Sequence, residues 1–164
     1  MQRLYYPSPI GLFFLEAADH YLERLSIEPQ ETRQSVTEKA DLQEILGQSA
    51  ILKETTQQLD AYFQGKLYHF DLPLKPASTP KGEAMRQAIM NIAYGSTASY
   101  RQVAMGIDSG ARAIGQSCAR NPFTLIVPCH RVVKADGSLG QYSSGNGVST
   151  KCWLLDHEKR YRPA

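Results

Sequence analysis

The chain has 164 residues, 42% of them hydrophobic, and 18 Lys/Arg against 16 Asp/Glu for a formal net charge of +2. It is long and apolar enough to bury a core and fits one domain, or one small domain beside another. Its three cysteines, an odd number without a CxxC pair and all in the last third, exclude a disulfide framework and predict reduced thiols in a cytoplasm.

The near-balance of charge hides an asymmetry. Residues 1–80 carry 7 Lys/Arg against 11 Asp/Glu, and residues 81–164 carry 11 against 5. The second half is therefore the candidate for a polyanion, because Lys and Arg gain affinity by displacing phosphate counterions. A solvated basic face accounts for the same count. Met1 to Pro7 has no basic region leading into a long apolar stretch, and Gly11 to Leu15 is too short for a signal or a membrane span, so no membrane partner is expected.

In chain order, Arg3 to Tyr6, Gly11 to Ala17 and Tyr21 to Glu28 are short aromatic and aliphatic runs separated by Pro-Ser-Pro and Ala-Asp-His, the pattern of strands joined by hairpins. Asp41 to Leu46 and Ala50 to Phe63 show helical spacing, with Leu52, Leu59, Tyr62 and Phe63 on one side and Gly65 as the stop. Phe70 to Leu74 reads as a further strand. The Pro-rich stretch from Pro73 to Pro80 reads as a linker, which divides the chain into an N-terminal α/β domain over 1–76 and a C-terminal domain over 77–164.

After the linker, Thr79 or Ser78 can cap a helix from about Lys81 to Ala93, with Ala84, Ala88, Ile89 and Ile92 as its buried stripe and Gly95 ending it. Ser99 caps a short helix through Gly106, Asp108-Ser109-Gly110 makes a tight turn, and a second short helix runs from Ala111 to about Ala119. Two short helices around such a turn form a helix-turn-helix pattern. Many helical corners have nothing to do with DNA, but this one lies in the basic half, just ahead of the chain's most reactive word.

That word is Ile126-Val127-Pro128-Cys129-His130-Arg131-Val132-Val133, a thiol and an imidazole side by side at the end of an apolar, strand-like run. A neighbouring base or cation can lower a thiol pKa from about 8.5 into the range of about 3.5–7.5 and so make it a nucleophile. Adjacent residues of an extended chain point to opposite faces. Cys129 and His130 therefore couple only if Pro128 introduces a turn or a water bridges them. The residues by themselves leave open a buried thiol beside a structural histidine. The first half has no cysteine and only His20 and His69, so a tetrahedral metal site is not expected.

Around this word stand Ser99-Tyr100-Arg101-Gln102-Val103-Ala104, Ala111-Arg112-Ala113-Ile114-Gly115-Gln116 and Asn121-Pro122 upstream, with Gly140-Gln141-Tyr142-Ser143 and Lys151-Cys152-Trp153-Leu154-Leu155-Asp156-His157-Glu158 downstream. In this order and at nearly this spacing, from Thr79 to Glu158, the set resembles the O6-alkylguanine-DNA alkyltransferases. The resemblance implies an α/β (α+β) protein with a small mixed N-terminal domain holding a short antiparallel sheet and a mainly helical C-terminal domain. It also implies a single-turnover methyltransferase that acts as a monomer on double-stranded DNA containing O6-alkylguanine, without a cofactor or metal. Cys129 matches the alkyl acceptor, which ends as a stable thioether and is consumed.

The other site residues carry over in the same way. His130 matches the base acting through a water, Glu158 the carboxylate that orients it, Tyr100 the phenol that neutralises the departing guanine, and Asn121 the amide that braces the turn before the thiol. Arg112 matches an arginine finger that fills the gap left by a flipped nucleotide. Ala111, Ala113 and Gly115 permit close approach to DNA, with Gln116 and Ser99 on the same surface. Backbone groups near Val132 and Ser143 match guanine contacts, with Tyr142, Cys118 and Thr124 at the pocket. Cys118 and Cys152 match no nucleophile and read as bystanders, and Arg131 reads as a structural ion pair before a DNA contact.

The chain also departs from the family pattern. Lys81, Gly82 and Arg86 stand where a Phe-Gln pair and a Trp are usual, and Ala93 replaces a proline. The loop Tyr142-Ser143-Ser144-Gly145 replaces Tyr-Ser/Ala-Gly-Gly and reaches Trp153 with about two extra residues, Asn146-Gly147. A longer glycine-punctuated lid predicts more room beside Cys129 and tolerance of bulkier alkyl groups. A non-enzymatic lesion-binding protein of the alkyltransferase-like kind is the alternative, and Cys129 argues against it. A Cys-His hydrolase with Asn121 as orienter lacks a recognisable oxyanion site.

Overall fold

The computed structural model describes residues 1–28 and 39–164, in two compact units, Met1–Lys75 and Pro76–Ala164. Among the described residues no helix is long and apolar enough to cross a membrane.

The first unit is a three-stranded antiparallel meander, β1 (Gln2–Ser8), β2 (Gly11–Ala17) and β3 (Leu22–Ile27), with helices α1 (Lys39–Gln48) and α2 (Ala50–Phe63). Period-two alternation buries Phe13, Leu15 and Ala17 on one face of the central strand. Pro7, which has no N–H to donate, is tolerated because β1 is an edge strand. Ser49 caps α2 by accepting from Leu52 N at 3.2 Å, and the helix buries Leu52, Leu59 and Tyr62 as its spacing predicts, while Phe63 is half-buried.

Phe70 to Leu74 is not a strand. Only Leu74 bridges to Leu22. Pro73 cannot donate, and the backbone of Asp71 is taken by a side chain: Gln58 Nε2 donates to its carbonyl at 2.8 Å and Gln58 Oε1 accepts from its N–H at 2.9 Å. One buried amide thus replaces a rung of sheet.

In the second unit α3 (Pro80–Met90) begins where Thr79 accepts from Gly82 N at 3.0 Å and Pro80 sits at the first position. Half of the expected stripe is buried, Ile89 and Ile92, while Ala84 is exposed and Ala88 half-buried, and Arg86 lies over the Phe123 ring at 5.1 Å from its centroid. The guanidinium packs as a flat group on an aromatic face, so an arginine joins the inward side that its charge had excluded. The helix also stops at Asn91, short of Ala93, and Gly95 turns the chain at φ +74°, where a Cβ would lie 2.6 Å from Arg162 Cδ.

β4 (Ala98–Ser99) then pairs in parallel with β5 (Val132–Val133). The pairing fastens the start of α4 (Tyr100–Met105) to the chain just after the cysteine. Ser99 and Gln102 form a reciprocal capping box at the N-terminus of α4. After a turn with Asp108 at φ 53° comes α5 (Ala111–Ala119), anchored by fully buried Ile114, and α6 (Val148–Tyr161) closes the unit. The helix-turn-helix pair is present at the predicted residues.

Candidate active site

Residues 123–133 are buried without a break, yet only Val132–Val133 is strand. Leu125 takes φ +78°, Val127 N donates to Phe123 O at 3.0 Å, and after Pro128 the chain enters a single 3-10 turn over Cys129–Arg131. The strand-like expectation fails because the local turn is imposed from outside by Asn121. Its Oδ1 accepts from Phe123 N at 2.9 Å, and its Nδ2 donates to Val127 O at 2.9 Å and reaches Cys129 Sγ at 3.5 Å. One amide folds the segment and touches the thiol it presents. The turn at Pro128 is the condition under which Cys129 and His130 need not face opposite ways.

His130 and Glu158 are both fully buried, and His130 Nε2 lies 2.7 Å from Glu158 Oε1. A carboxylate only accepts, so Nε2 carries the proton and donates, which leaves Nδ1 as the lone-pair nitrogen. Nδ1 is buried and has no hydrogen-bond partner among the described residues. Burial holds the imidazole below its ordinary 6.5, against the pull of Glu158 upward, so it is neutral and ready to accept a proton.

Glu158 is the hub of this cluster. Arg131 donates through Nε to Oε2 and through NH2 to Oε1, both at 2.9 Å, and through NH1 to the Ile92 carbonyl at 2.7 Å, while Gly95 N reaches Oε2 at 3.3 Å. Burial would raise the carboxyl, but the hydrogen bonds and charges of His130 and Arg131 overcome it and hold it far below the usual range. Arg131, buried and stacked on Tyr94 at 5.6 Å, is the structural ion pair the sequence suggests. It also rigidifies the carboxylate that orients His130.

Cys118, read as a bystander, lies near enough to Cys129 for the two thiols to influence each other. Cys118 and burial push the Cys129 thiol well above its ordinary value, while Asn121 and Lys151 pull it down. Cys129 in turn lowers Cys118 against its own burial. At rest Cys129 is therefore held as the thiol until a base takes its proton. Tyr100, at the first position of α4, is raised by burial and by the two thiols, so its phenol keeps its proton.

Sequence reading missed Lys151. It is fully buried, and its Nζ donates to Val132 O at 2.6 Å and to Leu139 O at 2.5 Å. The signal was there: Lys151 falls on the same face of α6 as Leu154 and Glu158, the buried stripe of that helix.

At the pocket positions Val132 and Thr124 are buried, Cys118 and Tyr142 half-buried and Ser143 exposed. The serine turned inward is Ser144, whose Oγ meets Thr124 Oγ1 at 2.9 Å. The Asn146-Gly147 insertion is not slack. Asn146 N donates to Thr150 Oγ1 at 2.9 Å, Ser149 Oγ donates to Asn146 O at 3.0 Å, and Lys151 N donates to Gly147 O at 3.1 Å. The two residues are built into the start of α6, because Gly147 has no side chain to cap that helix and Thr150 bonds back instead. The inference of a loose lid loses its footing here.

On α5, Arg112, Gln116 and Ala111 are exposed and Ala113 and Gly115 half-buried. A Cβ on Gly115 would meet only Tyr100 Cε1, at 3.9 Å. Packing inside the unit therefore does not demand a glycine there. Ser99 lies at the other end of this motif with its hydroxyl oxygen accepting from Gln102 N at 3.0 Å. Cys152 is exposed, and no cluster of metal-ligating side chains occurs among the described residues.

Two family models match the chain: 6-O-methylguanine DNA methyltransferase, ribonuclease-like domain, over residues 1–76, and 6-O-methylguanine DNA methyltransferase, DNA binding domain, over residues 81–160. A Methanosarcina barkeri protein named methylated-DNA--protein-cysteine methyltransferase is 37% identical over 154 residues, 93% of this chain and 93% of its own. One of the same name from Mycolicibacterium paratuberculosis is 35% identical over 159 residues, 96% of this chain and 92% of its own. The crystal structure of Mycobacterium tuberculosis OGT in complex with DNA matches with a TM-score of 0.80 at 34% identity, over 100% of this chain and 96% of that one.

Proposed function

Because this chain belongs to the 6-O-methylguanine DNA methyltransferase family, we propose that Cys129 is the thiol onto which it moves an alkyl group from the O6 oxygen of guanine in double-stranded DNA. The protein repairs DNA by alkyl transfer to cysteine. The observation that carries the assignment to Cys129 is the neutral His130 held by Glu158, with an acceptor nitrogen next in the chain to a thiol that touches Asn121.

The chemistry follows from the protonation states. Cys129 keeps its proton at rest, so attack begins with its transfer through a bridging water to His130 Nδ1, and Glu158 stabilises the imidazolium that forms. The sulfur then bonds to the alkyl carbon as the carbon–O6 bond breaks and its electron pair leaves with guanine. Tyr100, still protonated, donates to that departing anion, where relief of charge lowers the barrier. The product is a thioether that nothing in the site can cleave. Each protein molecule therefore acts once.

The O6 atom is hidden in a stacked duplex, so the nucleotide must rotate out. Arg112, exposed on α5 among Ala111, Ala113 and Gly115, is the side chain free to enter the stack, and Gln116 extends the same face. Sequence-independent contact of this kind suits a basic unit that scans DNA. All the groups involved come from one chain, which supports action as a monomer. The three unpaired cysteines suit a reducing cytoplasm.

The test is incubation with a duplex oligonucleotide containing O6-methylguanine, followed by peptide mapping. One methyl per protein on Cys129 is expected, and Cys129→Ser should transfer none because an alcohol ionises far less readily. A methyl on Cys118 or Cys152, or transfer by Cys129→Ser, overturns the assignment.

A further inference from the structure

We infer that Arg86 is a positioning residue for alkyl transfer: laid over the Phe123 ring, it holds the pivot of the turn in which Asn121 grips Cys129. The inference rests on the reading of Cys129 as the acceptor. Arg86 belongs to α3 and is one of the positions where the chain departs from the family pattern. Its side chain is 11% exposed, and its Cζ lies 5.1 Å from the centroid of a ring that is itself buried. Burying most of a guanidinium is costly unless it is paired, and an apolar side chain would fill the same space without that cost. What the guanidinium adds is a rigid plane that packs on an aromatic face while its edge donates elsewhere. The edge is used. Arg86 NH1 donates to Glu83 Oε2 at 3.4 Å, and the same oxygen accepts from Ala77 N at 2.8 Å. The plane is thereby anchored to the first turn of its own helix and to the segment that leads into it.

The ring it covers belongs to a residue whose backbone is held at both its N–H and its C=O. Phe123 N donates to Asn121 Oδ1 at 2.9 Å, and Phe123 O accepts from Val127 N at 3.0 Å and from Asn121 Nδ2 at 3.3 Å. That Nδ2 also donates to Val127 O at 2.9 Å and reaches Cys129 Sγ at 3.5 Å. A tilt of the Phe123 ring therefore carries its backbone along, and with it the amide that approaches the sulfur. Contacts run without a gap from Glu83 through Arg86, Phe123 and Asn121 to the thiol, all inside the second unit. With Phe123 fixed, Nδ2 stays in reach of the sulfur as the proton leaves for His130, and a donor aimed at a thiolate stabilises it.

The experiment compares Arg86→Met, which keeps a stem and drops the plane, with Arg86→Lys, which keeps stem and charge but has no plane. Asn121→Ala and the variant combining it with Arg86→Met complete a cycle. The rate of iodoacetamide modification at Cys129 is followed against pH by peptide mapping, and transfer from an O6-methylguanine duplex is timed alongside. The titratable groups around the thiol, Cys118, Tyr100, Tyr142, Lys151 and the adjoining His130, are the same in every variant. We expect the Cys129 midpoint to rise by about half a unit in both Arg86 variants, with neutral-pH transfer slowed about threefold, one pKa unit being a factor of ten in thiolate. Asn121→Ala should raise the midpoint at least as much, and adding Arg86→Met should move it no further, because Arg86 acts through that amide. A folded Arg86→Met variant with an unmoved midpoint overturns the inference even if it is less stable, since that pattern is one of packing. An Arg86→Lys midpoint equal to that of the natural chain overturns it by making charge, not the plane, the operative property. A combined variant whose shift is the sum of the single ones overturns it by taking Asn121 out of the path. Should Arg86→Met or Asn121→Ala not fold, Arg86→Lys decides alone: its midpoint rises or the inference falls. Because iodoacetamide needs no DNA, a moved midpoint with no methyl on Cys129 would sink the acceptor assignment and leave the hold of Arg86 on the turn standing.

Discussion

The two units bury polar groups in opposite ways. In the first, the described core is Leu4, Phe13, Leu15, Ala17, Leu22, Leu25, Leu52, Leu59 and Tyr62, and its buried polar side chains, Ser49, Thr55, Thr56 and Gln58, are all neutral. In the second, His130, Arg131, Lys151 and Glu158 lie at or below 6% exposure. A hydrophobic replacement of similar volume is often as stable as a buried charge or better. Where the chain needs only a fold it uses neutral hydrogen bonds, as Gln58 does for Asp71. Where it needs a proton acceptor beside a thiol it buries ionisable groups, pairing Arg131 with Glu158 and seating Lys151 on two backbone carbonyls.

The strongest way to break this contrast is at Glu158. Glu158→Gln leaves Arg131 buried without a counter-charge, and loss of a partner in such a pair costs about 3–5 kcal/mol. Transfer should fall with it even at temperatures where the variant stays folded, because His130 loses the carboxylate that stabilises its charged form. Chemical denaturation followed by Trp153, the chain's only tryptophan and a residue of α6, reads the second unit. A folded variant with an unchanged pH–rate profile would remove Glu158 from the mechanism.

Leu59→Ala supplies the counterpart in the neutral core. Truncating a fully buried leucine costs about 2–5 kcal/mol through lost burial and the cavity left behind. Unlike the loss at Glu158, this one should not vary between pH 5 and 8, since no titrating group is involved. A pH-dependent cost, measured by denaturant titration across that range, would show that the contrast between the units is drawn in the wrong place.

Acid sharpens the comparison in the natural chain. The His130 pKa is depressed in the folded state, so the unfolded chain takes up that proton first and stability declines as pH falls below about 6.5. Glu158 is also depressed, so the stabilisation it gives is present above its ordinary 4.5 and is lost as pH falls from there toward its folded value. Both act in the second unit and in the same direction. The melting temperature read from Trp153 should decline from pH 6.5 downward, and Glu158→Gln should flatten the part below 4.5. A melting temperature constant from pH 7 to 4 would contradict both shifts.

The smallest effect on stability belongs to Arg112→Ala. An exposed side chain away from the core changes stability by at most about 0.5 kcal/mol. Repair of duplex DNA should nevertheless slow far more than reaction with the free alkylated base, since only the duplex requires extrusion and gap filling. Equal slowing on both substrates would put Arg112 in the fold or the pocket.

Local rules were enough for much of this molecule. Gly11–Ala17 alternates with period two, Thr79 and Ser99 are caps that need only the next three residues, and the turn between α4 and α5 is flanked by its own glycines, Gly106 and Gly110. Their boundaries were legible because turns, caps and periodic faces are short-range physics. Asn121, Cys129, His130 and Glu158 were named as the candidate site only through the family resemblance, since the residues by themselves left open a buried thiol beside a structural histidine. What the chain order could not carry was contact across distance. Arg86 joined the inward side of α3 only because the Phe123 ring came to lie under it, and Phe70 to Leu74 lost its strand because Gln58 had taken the backbone of Asp71. Cys118 acts on the Cys129 thiol from eleven residues away in the chain, and Lys151 became a buried cation when its helix laid it against Val132 and Leu139. Burial and charge are properties of neighbours, so the protonation states on which the chemistry depends were decided only when the tertiary structure chose those neighbours.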